Sequence, residues 1–288
     1  MDSFDLEHIR FDVFLTVGEG TKDFDLVLFW SHGTDWLPKG VDPDNVYTTS
    51  SFGEDKSNGT TLEIKDLANI FSPDGFNYSA NLLAFDCCSM GSVEVASYFA
   101  QCNIAQVLAP TTAIMAEGFD YSAFFNVLNS ATATTSSLGK LPSIIDAVVD
   151  NYKDSSMLGV VGYNVADFKP LTVLFKEHFT PTITDFLTLR NECVARYTAN
   201  APNQLVLFYD FKSFMEKSGS SVPQEIAALF SSESFYSKSK NVSDGMNIDW
   251  LSCYIPYSGT SEFFTNLNNA FKETPWYKES NFGEKFSF

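Results

Sequence analysis

Residues 81–100 read NLLAFDCCSMGSVEVASYFA. An apolar run of strand length ends in Asp86 and two adjacent cysteines, Cys87 and Cys88. From Ser89 the period changes: Val93, Ala96 and Ala100 recur at helical spacing, as do Val95 and Phe99. A buried strand that passes into a helix through a short polar step is the repeating unit of an α/β sheet. Residues 24–30, FDLVLFW, form another buried strand, which SHG interrupts at once. Residues 62–71 suit a short helix, 104–109 a strand, 119–130 and 141–153 helices, and 158–163 a strand. The expected fold is α/β, a largely parallel sheet flanked by helices.

Beyond about residue 166 the pattern is mostly helical and rich in phenylalanine, with one late strand in WLSCYIP, residues 250–256. Two regions are therefore expected: 1–165, which carries the reactive strand ends, and a more helical part, 166–288. Residues 34–60, between the first two strands, are rich in Gly, Pro, Asp, Ser and Thr and read as a long loop.

Composition narrows the function classes. At 288 residues and 44% hydrophobic content the chain buries a substantial core. Its formal charge of -18 repels phosphate backbones, which argues against a nucleic-acid partner. No apolar run is long enough to span a membrane. The first ten residues, MDSFDLEHIR, lack the apolar core of a signal peptide. The five cysteines cannot all pair, and neighbours such as Cys87 and Cys88 pair only with strain. No CxxC pair is present, so zinc has little support, and no residue is assigned as a metal ligand.

In a parallel α/β sheet, sites form beyond the carboxyl ends of strands. One such end supplies His32 and Gly33, another Asp86, Cys87 and Cys88. Imidazole plus thiol is the minimum equipment for a cysteine nucleophile, with His32 promoting the thiolate or protonating a leaving amine. Cys88 is expected where the next helix starts, so that backbone N–H groups and the helix dipole favour its thiolate. The amides of Cys88 and Gly33 are oxyanion candidates, and a glycine admits a substrate carbonyl close to the backbone. Strand alternation sends Asp86 and Cys88 to the exposed side and Cys87 the other way, into the core. A lone cysteine in a strand is most often plain core; what singles out Cys88 is its pairing with a His-Gly step at a second strand end.

The two stretches LVLFWSHGTDWLP and LLAFDCCSMGSVEVA resemble the clostripain family of cysteine endopeptidases, which shares a caspase-like fold with gingipains, legumains and caspases. The family pattern is an apolar block followed by His-Gly, and later an apolar block, Asp-Ala-Cys, Met and a Glu-Val-Ala helix. APTTAIMAEGFDYSAFFNVL, FYDFKSFM and WLSCYIP are similar to later family segments, so the resemblance covers residues 22–275. It implies a thiol endopeptidase with Cys88 as nucleophile, His32 as its dyad partner and Asp86 recognising Arg or Lys before the cut bond. It implies protein or peptide substrates with basic residues, no cofactor, and a secreted or cell-surface setting. Thr112 stands where a Glu is common near the expected specificity pocket, and Glu117 is the next acidic candidate there. Family members are often activated by cleavage in the loop between the blocks, where Lys39 and Lys56 are the basic residues of 34–60.

Three departures stand out. Asp35 occupies a usual Gly position, Cys87 replaces the small Ala, and 23 residues precede Phe24 where the family has a longer segment with further strands. The last departure implies an N-terminally truncated member, completed by a missing segment or associating through an exposed strand edge. With Asp35, it also supports an alternative reading: a non-catalytic caspase-like protein that binds or scaffolds.

Overall fold

The computed structural model describes residues 22–30, 33, 35–38, 52–55, 60–115, 117–130, 140–154, 156–198, 206–219, 221–242, 248, 250–259 and 261–286. The elements of the first half run β1 (Asp23–Trp30), β2 (Phe52–Asp55), β3 (Thr60–Leu62), α1 (Ile64–Phe71), β4 (Ser79–Asp86), α2 (Val93–Phe99), β5 (Ile104–Pro110), α3 (Tyr121–Asn129), α4 (Leu141–Asp150) and β6 (Leu158–Asn164). β2 and β3 pair antiparallel, so the stretch read as one long loop ends in a hairpin.

The main sheet has the order β1-β4-β5-β6-β9, where β9 is Phe235–Lys240. β1, β4 and β5 pair parallel, whereas β6 pairs antiparallel with both of its neighbours, β5 and β9. The parallel character is thus confined to the half that carries the Cys and His blocks. A small second sheet joins β7 (Ala195–Thr198), β8 (Val206–Asp210) and β10 (Ser252–Tyr254). Among the described residues the C-terminal part therefore holds four strands where the sequence pattern marks one. FYSKSK alternates polar residues and has only one fully buried position, and ARYT is short, so neither carries an apolar run.

Strand alternation sorts the core into two layers. Leu83, Phe85 and Cys87 join the layer under α1, α2 and the C-terminal helices. Leu82 and Ala84 join the layer under α3 and α4. Asp86 continues on that second face, where it meets the start of α3. The helices sit where their caps put them: Ser92 Oγ accepts from Val95 N at α2, and Asp120 accepts from Ala123 N at α3. No helix among the described residues is long and apolar enough to cross a membrane.

Candidate active site

β1 and β4 pair in register up to their last residues, with Trp30 opposite Asp86. The chain leaving β1 reaches Gly33 within three residues, and Gly33 lies on the chain leaving β4. A Cβ built on Gly33 would sit 2.4 Å from the Cys88 carbonyl oxygen and 3.1 Å from the Cys88 nitrogen and the Cys87 Cβ. Only glycine permits that approach. β5 ends alongside, and Ser89 N donates to Thr112 O at 3.0 Å while Gly91 N donates to Pro110 O at 2.8 Å. Three strand ends thus converge on Asp86, Cys87 and Cys88.

Cys87 is fully buried among Leu83, Phe85 and Met90, and burial pushes its thiol well above the ordinary cysteine value. Cys88 is half-buried. Ile114 N donates to its Sγ at 3.3 Å, and the thiol faces Ile114 O at 3.4 Å. Burial raises the Cys88 pKa and the Asp86 charge adds to the rise, against the lowering effect of backbone hydrogen bonds. The structure corrects one sequence expectation here. Ser89 turns left-handed at φ 57°, and the helix begins only at Val93, behind the Ser92 cap. Its N-terminus does not solvate Cys88.

Asp86 is not on an exposed side as alternation predicts: the loop that follows β5 covers it and buries it. Its Oδ2 accepts from Phe119 N at 3.0 Å and from the Tyr121 hydroxyl, while Oδ1 is buried without a hydrogen-bond partner. Gly118, left-handed at φ 66°, packs so closely that a Cβ there would lie 2.3 Å from Oδ2. Burial raises the Asp86 pKa, opposed by the hydrogen bonds from Tyr121 and Phe119. The carboxylate is therefore desolvated and half satisfied, a condition that a cation relieves.

Of the other expected pocket residues, Glu117 is exposed and lines a cavity of about 220 Å³ beside the loop, with Gly118, Phe119 and Tyr152. Thr112 is buried instead. Its hydroxyl accepts from Gly159 N at 3.1 Å and donates to the Ala113 or Met157 carbonyl, so it ties β5 to β6. His32, Lys39 and Lys56 lie outside the described residues. Sequence reasoning missed Tyr121 and Gly118. Their signal was the GFDY step at a helix start, where a glycine precedes a capping Asp.

The Clostripain family, Peptidase C11, matches residues 7–176. The chain belongs to the clostripain family. That is a family of cysteine peptidases, and the match spans both strand ends described above. The fold agrees. A secreted C11 cysteine protease from Bacteroides thetaiotaomicron, solved with an irreversible peptide inhibitor, superposes with a TM-score of 0.72 at 17% identity, over 99% of this chain and 80% of that one. An inactive zymogen C11 protease from Parabacteroides distasonis gives 0.67 at 20% identity, over 97% and 77%. A cysteine protease from B. fragilis gives 0.60 at 20% identity, over 81% and 98%. No curated protein matched significantly. The caspase-like α/β architecture expected from the two blocks is the one found.

Proposed function

We propose that this clostripain-family chain is an endopeptidase that cuts after Lys or Arg through a Cys88–His32 dyad. The observation that carries the reading is the in-register end of β1 and β4, with the Gly33 backbone against that of Cys88. It makes His32, one peptide bond from Gly33, a neighbour in sequence of the group packed on the nucleophile.

Because burial raises the Cys88 pKa, attack calls for a base. His32 takes the Sγ proton as sulfur bonds to the substrate carbonyl carbon, and the amides of Gly33 and Cys88 receive the oxyanion. The same proton then passes to the leaving amine as the peptide bond breaks. Water hydrolyses the thioester and restores the thiol. Cys88 must first give up its contacts with Ile114, which a substrate entering beside that loop displaces. Asp86 supplies the selectivity: its bare, desolvated Oδ1 gains both a donor and a counter-charge from a cationic side chain. Thr112 is not assigned to the pocket, and Glu117 is its outer acidic residue.

Lys39 and Lys56 are self-cleavage sites under the same specificity. A secreted or cell-surface setting fits a protease of this kind, and the B. thetaiotaomicron relative is a secreted protease.

The direct test is labelling by peptidyl acyloxymethyl ketones that end in Lys, Arg or Ala. The Lys and Arg probes are expected to label, and His32→Ala to slow labelling or turnover by roughly 10²–10⁴-fold. A folded protein that takes none of the probes is a scaffold rather than a protease.

A further inference from the structure

The two oxygens of Asp86 are not equivalent. Oδ2 accepts from two donors, the Phe119 backbone N at 3.0 Å and the Tyr121 hydroxyl, while Oδ1 is buried without a hydrogen-bond partner among the described residues. A carboxylate oxygen has two lone-pair sites, so Oδ2 is filled and Oδ1 is empty. The Oδ2 side is also walled: a Cβ built on Gly118 would lie 2.3 Å from Oδ2, against 3.0 Å from Oδ1. Tyr121 is held in place by its position in the fold. It opens α3 behind the Asp120 cap, and its ring centroid lies 6.3 Å from that of Phe125. Burial and the neighbouring carboxylate push its phenol up, so the hydroxyl stays a donor.

We propose that Tyr121 is a specificity-determining residue that acts through Asp86: by occupying Oδ2 it makes the site select Lys over Arg. The proposal rests on the reading of Asp86 as the carboxylate that meets the residue before the cut bond.

The reason is the shape of the two cations. A guanidinium binds a carboxylate best as a fork, with one N–H on each oxygen. Here the second tine finds no lone pair on Oδ2 and meets the Tyr121 oxygen and the Gly118 backbone instead. An Arg is left with Oδ1 alone, and its remaining N–H groups enter a buried site short of acceptors, which is costly. The Lys ammonium is a compact charge with fewer donors on a flexible stem, and it needs no second oxygen. The two donors on Oδ2 are neutral, so they fix the carboxylate without cancelling its charge, and both oppose the rise in its pKa that burial causes.

Only one of those donors is a side chain, so the selectivity hangs on one hydroxyl. Tyr121→Phe keeps the ring on Phe125 and the start of α3. It removes the hydroxyl, frees a lone pair on Oδ2 and opens the space of one oxygen atom in front of it. A second guanidinium nitrogen fits there.

The test is the second-order rate of inactivation by three acyloxymethyl ketones that share one peptide and end in Lys, Arg or Ala. It is run on wild type and Tyr121→Phe, beside a thermal melt of each. A hydrogen bond to a charged group is worth about tenfold or more. Wild type is expected to react with the Lys probe about tenfold faster than with the Arg probe, and both faster than Ala. Tyr121→Phe is expected to close the Lys-to-Arg gap by about tenfold, chiefly by gaining Arg rate. A merely structural role for Tyr121 lowers all three rates together. That outcome, or a folded variant with the wild-type Lys-to-Arg ratio, overturns the proposal. Equal Lys and Arg rates in wild type, both above Ala, overturn it while the basic-residue reading stands, whether or not the variant folds. An Ala rate equal to the other two, or no labelling at all, rejects that reading and the proposal with it.

Discussion

Replacing Gly33 by Ala adds one methyl group and should disable the site. The new Cβ would lie 2.4 Å from the Cys88 carbonyl oxygen. That oxygen belongs to the backbone and cannot rotate away, so the two chains must separate by about 1 Å to reach ordinary contact. A displacement of about 1 Å at a reacting centre costs roughly 10²-fold in rate. Overpacking adds about 1–3 kcal/mol of destabilisation, which lowers the melting temperature by several degrees in a chain of this size. The assay is the second-order inactivation rate with a Lys- or Arg-ended probe, read beside a thermal melt. The expected result is a rate lower by about two orders of magnitude in a protein that still folds. A variant that labels within a few-fold of wild type, with an unchanged melt, would show that Gly33 does not pack on Cys88.

Two further substitutions bear on other parts of the site and the core. Asp86→Asn removes the charge proposed to meet a basic side chain, a charge-assisted contact worth about 1.5–3 kcal/mol. The ratio of Lys or Arg cleavage to Ala cleavage should fall tenfold or more, and an unchanged ratio would move the pocket's charge to Glu117. Arg196→Ala leaves Asp210 buried without the guanidinium that also donates to Trp250 O at 3.0 Å. Breaking such a pair costs about 3–5 kcal/mol; chemical denaturation that reads less than about 1 kcal/mol would deny that the pair is buried.

Much of the parallel half was legible because its signal is local. LVLF and LLAF are apolar runs broken by polar steps, and alternation alone sent Cys87 inward and Asp86 to the opposite face. The helix start was misread because Ser89 has no sequence mark of its left-handed turn, whereas the real cap, Ser92, stands three residues on. β9 escaped notice because its pairing to β6, rather than an apolar run, makes it a strand. Thr112 was placed in the pocket by alignment, but its hydroxyl is consumed by backbone groups of the chain around β6. The Tyr121 hydroxyl on Asp86 spans 35 residues, and the Asp35–Ser92 bond spans 57. Contacts at such separations follow from the topology, which no single window of sequence contains.

The central claim is that Cys88, and not its neighbour, is the nucleophile. Labelling wild type, Cys88→Ala and Cys87→Ala with one basic peptidyl acyloxymethyl ketone, then locating the adduct by mass spectrometry, tests it most directly. Cys87 is sealed in the core, whereas Cys88 is half-buried beside the Gly33 turn. The adduct is expected on Cys88 in wild type, absent in Cys88→Ala, and largely retained in Cys87→Ala. An adduct on Cys87, or labelling that survives Cys88→Ala in a folded protein, would contradict the account.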